Sequence, residues 1–87
     1  MLGLTSDDLR RAADAVEAEA CEGEHAGQDW VNDGKPEHGE IHFRAAVDLH
    51  WLAGRLRSSA AMMDAEAARA AAAEVGREIV EACACPA

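Results

Sequence analysis

The chain has 87 residues and a net charge of −9, a length that allows one domain with only a marginal core of its own. Its nineteen large apolar residues are outnumbered by twenty-one alanines, and alanine brings helix propensity but little buried area. The acidic excess disfavours nucleic acid and anionic membrane surfaces as direct partners, and no apolar run reaches the roughly 18 residues that a membrane span needs.

A first helix is predicted over about 6–22. Thr5 stands three residues before Asp8 in a capping-box arrangement, with Leu4 and Leu9 placed as a hydrophobic staple. Acids in the first turn suit the helix dipole. Leu9, Ala12, Ala13, Val16 and Ala20 then recur at helical spacing. Gly23 is expected to begin the exit, and 26–36, "AGQDWVNDGKP", collects the Gly, Asn, Asp and Pro of a loop. Trp30 and Val31 within it are expected to fold back as a plug. Pro36 suits the first position of a following helix, where a missing N–H costs nothing.

The second helix, about 37–57, carries two apolar faces. Ile41, Ala45, Leu49, Leu52 and Leu56 form one; Phe43, Val47, His50, Trp51 and Gly54 form the other. A helix apolar on nearly all sides needs cover on both. A third helix, about 64–83, sets Ala61, Ala65, Ala68, Ala72, Val75, Ile79 and Cys83 on one face, opposite Glu66, Glu74, Arg77, Glu78 and Glu81. Ser58, Ser59 and Asp64 are N-cap residue types and predict a break between 58 and 64. The fold class that follows is all-α: a single domain, 1–87, forming a three-helix up-down-up bundle completed by dimerisation. The alternative is the first helix folded against one long helix, 37–83, because no Gly or Pro interrupts "RLRSSAAMMDAEA" and the apolar stripes on either side are in angular register.

In the bundle, three groups of thiols and imidazoles share one pole: Cys21 with His25, His38 with His42, and Cys83 with Cys85. These are zinc's preferred ligands, and i,i+4 spacing puts a pair on one helical face. Gly23 and Gly39 interrupt both pairs, and fusion of the last two helices would carry Cys83 about 60 Å from His42 at 1.5 Å per residue. The spacings are common by chance, so the simpler reading is no cofactor, with zinc as the alternative. Glu22 and His25 give the E-x-x-H of carboxylate di-iron bundles without the carboxylates those sites take from other helices.

No phosphate-binding, dinucleotide-binding, zinc-protease or serine-hydrolase motif is present, which predicts a chain without catalytic residues. A helix-turn-helix reading fails on charge, since the third helix offers only Arg69 and Arg77. Three cysteines, and an opening "MLGLTSDD" with neither a basic cluster nor a long apolar run, predict reduced thiols in a cytosolic protein. The leading expectation is a non-enzymatic interaction module that self-associates as a homodimer through Phe43, Val47, His50, Trp51 and Gly54. A further alternative is an acidic inhibitor of a nucleic-acid enzyme, presenting Asp14, Glu17 and Glu24 to a basic protein partner.

Overall fold

The structure, a computed structural model, describes residues 3–83. Two helices make the whole of the described fold: α1, Ser6–Asn32, and α2, Pro36–Cys83. At α1's start the capping box forms as its residues require. The Asp8 N–H donates to Thr5 Oγ1 at 3.1 Å, and the Thr5 N–H donates back to Asp8 Oδ2 at 3.0 Å. At its end, the Gly34 N–H donates to the Val31 carbonyl (3.0 Å) and the Lys35 N–H to the Trp30 carbonyl (2.8 Å). This is a Schellman close, which needs a left-handed residue after the cap; Gly34 supplies it at φ 79°. Pro36 then opens α2.

The three-helix bundle is corrected to a two-helix hairpin, in which the long-helix alternative holds. α1 does not exit at Gly23; it runs on to Asn32, and the loop shrinks to 33–35. The expected break between Ser58 and Asp64 is absent, and α2 continues for 48 residues. Alanine-rich sequence favours the continuous helix, and side chains on either side of the expected break are tied to α1. Arg57 pairs with Asp14 at 3.0 Å and with Glu17, while Asp64 pairs with Arg10.

The helices meet along a seam of small residues. Ala13, Ala20 and Gly27 of α1 are buried, as are Gly39, Ala46, Ala53 and Ala60 of α2. Each set repeats every seventh position, the period that keeps one edge of a supercoiled helix against its neighbour. The tightest point lies near the loop, where a Cβ built on Gly39 would stand 2.6 Å from the Gly27 carbonyl oxygen. Gly23 and Gly27 are thus contact residues rather than helix stops. Leu9, Val16, Trp30, Leu49 and Leu56 flank the seam half-buried, and among the described residues no large side chain is fully buried.

The helices are unequal in length. Asp64 of α2 lies beside Arg10, in the first turns of α1, so 66–83 extends past the hairpin by about 27 Å. Every residue from 61 to 83 is exposed. The result is a rod of 85 × 23 × 12 Å with a radius of gyration of 22.6 Å, against about 12 Å for a compact chain of this length.

Candidate functional site

Along one flank of the seam, charged side chains clasp the two helices. Arg10 meets Asp64, Glu17 meets Arg57, and Glu24 meets His50. Each step moves seven residues up α1 and seven down α2, so one antiparallel register satisfies all three. The polarity reverses once along the row. A slip of one heptad would set Arg10 against Arg57, or Glu17 against Asp64, and like-charge contacts of this kind reject the wrong register. Exposed ion pairs contribute only about 0.2–1 kcal/mol each; their stronger effect here is on alignment. Asp64's carboxyl is held below its ordinary range by the Ser6 hydroxyl first and then by Arg10.

The acids assigned to a docking face belong to this clasp. Asp14 and Glu17 share Arg57, and Glu24 holds His50, whose other ring nitrogen lies 3.7 Å from Glu17. All three are tied to α2 by these pairs.

The expected interface face divides in two. Phe43 and His50 turn toward α1: the Phe43 ring packs over Gly27, where an added Cβ would meet it at 2.8 Å, and His50 is in the clasp. Val47, Trp51 and Gly54 turn outward, with Trp51 63% exposed under the Arg55 guanidinium, 4.9 Å from the ring centroid. Trp51, Arg55, Ser58 and Met62 rim a shallow depression over Gly54, where an added Cβ would meet nothing within 4 Å. The Leu52 and Ile41 side chains lie on a second exposed side of α2, Ile41 70% exposed.

The thiols and imidazoles do not converge. Cys21 is exposed on α1, and Cys83 ends the far tip of α2, about 60 Å from His42 along the continuous helix. His38 stacks instead on Trp30, centroids 4.9 Å apart, and Lys35 lies 5.4 Å from the same indole. Trp30 therefore does pack at the turn, from within α1 rather than from a loop. Cys85 lies outside the described residues. Among the described residues no group of three or more His, Cys, Asp or Glu side chains is placed to hold a metal ion, so the shared pole of the bundle reading does not form.

Sequence reasoning placed Ala13 and Ala20 on the first helix's apolar stripe, where the structure buries them, but missed the contact residues of α2. Ala46, Ala53 and Ala60 belong to neither apolar stripe assigned to the second helix. The available signal was the seven-residue spacing of small residues, 13–20–27 and 39–46–53–60.

The class these features define is an antiparallel helical hairpin closed by a small-residue heptad, with one arm overhanging. The chain matches no protein-family model, no curated protein and no solved structure. No helix among the described residues is long and apolar enough to cross a membrane.

Proposed function

We propose that this chain is a non-enzymatic helical interaction module of the cytosol that self-associates as a dimer through the outward side of α2, with Trp51 as its anchor. One observation carries this reading: among the described residues the five buried hydrophobic ones are all alanine, while Val47, Trp51, Val75 and Ile79 are each more than half exposed. Burying a methyl group contributes about 0.8 kcal/mol, whereas covering a Val, Leu, Ile or Phe side chain contributes about 1.5–3 kcal/mol. These four side chains thus await a surface that the protomer does not contain. Large aromatic residues in contact with small neighbours are also the usual anchors of protein interfaces.

Light scattering tests the proposal directly. The wild-type chain at tens of micromolar is expected at about twice its 9.2 kDa mass, and Trp51→Glu at the single mass with helicity retained, because the indole contributes little to the hairpin seam. A wild-type protein that stays monomeric at that concentration removes the reading.

A further inference from the structure

Building on the self-association reading, we infer that the occupant of α2's outward side is the α2 overhang of a second copy, running antiparallel, so that each arm's exposed tip lies on the other's hairpin. The first ground is continuity. Val47, Trp51 and Gly54 are followed, in steps of four and three, by Ser58, Ala61, Ala65, Ala68, Ala72, Val75 and Ile79. The a/d spacing of a coiled-coil seam thus runs from the hairpin into the overhang with Ser58 as its one polar member, and α1 packs on a different side of α2, the one marked by Ala46, Ala53 and Ala60.

Length is the second ground. α2 spans 36–83, so its overhang, 66–83, is equal in length to 36–53, the stretch that carries Val47 and Trp51. Antiparallel overlap of the two long helices lays each overhang on the other copy's hairpin. About a two-fold axis between Ser58 and Ser59 the stripe meets its own copy over 47–70, and the two long helices overlap over 36–81, a strip roughly 70 Å long and about 10 Å wide. Counted on both copies this is on the order of 1,000 Å², the threshold for a specific interface.

The third ground is charge. Asp48 and Arg69 both flank the stripe on the same side, and among the described residues neither forms an ion pair within the protomer. A two-fold axis between Ser58 and Ser59 sets Asp48 of each copy opposite Arg69 of the other, twice. Shifting the pair by one heptad would instead bring Arg55 against its own counterpart or against Arg69. Parallel pairing would put the two copies of this flank on opposite faces of the seam, where Asp48 and Arg69 do not meet. The same axis puts Gly54, Ser58 and Ala61 at the centre, where small side chains allow close approach, and keeps the two acidic α1 helices on opposite outer sides.

Sedimentation or light scattering over a dilution series, with Asp48→Arg, Arg69→Asp and the double exchange, tests this arrangement. Each single reversal is expected to raise the dimer dissociation constant about tenfold, and the double exchange to return it to within about twofold of wild type. Ile79→Glu, distant from α1 and 58% exposed in the protomer, is expected to abolish the dimer with the helical signal unchanged. Singles that match wild type, an exchange no better than its singles, or a dimer indifferent to Ile79→Glu would each overturn the antiparallel overhang pairing. A wild-type dimer lost with Trp51→Glu but insensitive to those three changes would leave self-association standing and remove only this geometry.

Discussion

At the residue scale, what matters most about the glycines is where each one sits. Gly39 can have no side chain without displacing backbone, because its Cβ would meet the Gly27 carbonyl at 2.6 Å and Val31 at 2.9 Å. Gly39→Ala is therefore expected to lower stability by about 1–3 kcal/mol, read from urea unfolding followed by circular dichroism. Gly76 has open space around it in the middle of a helix, so Gly76→Ala should raise the helical signal of the overhang, with a gain of about 0.8–1 kcal/mol in local helix propensity. Equal effects from the two substitutions would contradict the placement of the seam. Gly34 is the third case: its left-handed backbone makes Gly34→Ala cost about 1–2 kcal/mol. A turn residue at 34 was legible in the sequence from the Asn, Asp, Gly and Pro around it. Gly23 and Gly27 misled the same reasoning, since a glycine that stops a helix and one that admits a neighbouring helix look alike until the neighbour is in place.

The elements are held by their ends and flanks more than by a core. Thr5→Ala should remove the reciprocal cap on α1 and cost about 1 kcal/mol, visible as a lower unfolding midpoint. The clasp gives a pH dependence whose sign follows from its carboxylates. Asp64, held down by Ser6 and Arg10, and Asp8, held down by the Thr5 backbone N–H and hydroxyl, both have folded values below their unfolded ones. Their contribution is fully present above about pH 4 and is lost as pH falls through the lowered values. The stability difference between wild type and Asp64→Asn should accordingly be open at pH 6 and close as pH falls through Asp64's lowered value. A difference independent of pH would remove Asp64 from the clasp. The cap was readable in the sequence because its two partners are three residues apart. The clasp was not, because Glu17 and Arg57 are brought together only by the hairpin, and on α1 alone Glu17 is one more acid on a charged face.

For the whole molecule, the unequal arms set the expectation for its shape in solution. If two copies overlap along α2, the maximum dimension measured by small-angle scattering should stay near the protomer's 85 Å while the mass doubles. End-to-end association would lengthen the particle to roughly twice that, an outcome incompatible with the overhang pairing. The sequence by itself determined the all-helical class, where the first helix begins, that the acidic excess lies on the first and last segments, and that the central helix has more apolar perimeter than one neighbour can cover. Only the tertiary structure decided which side of that helix is inside. Periodicity ranks faces by side-chain size and so favoured the Leu and Trp stripes, whereas the hairpin chose the alanines, because α1 can come close along its length only where both helices present almost nothing beyond the backbone. That choice leaves the larger side chains outward, and it is the physical reason a short acidic chain extends half-covered into solvent.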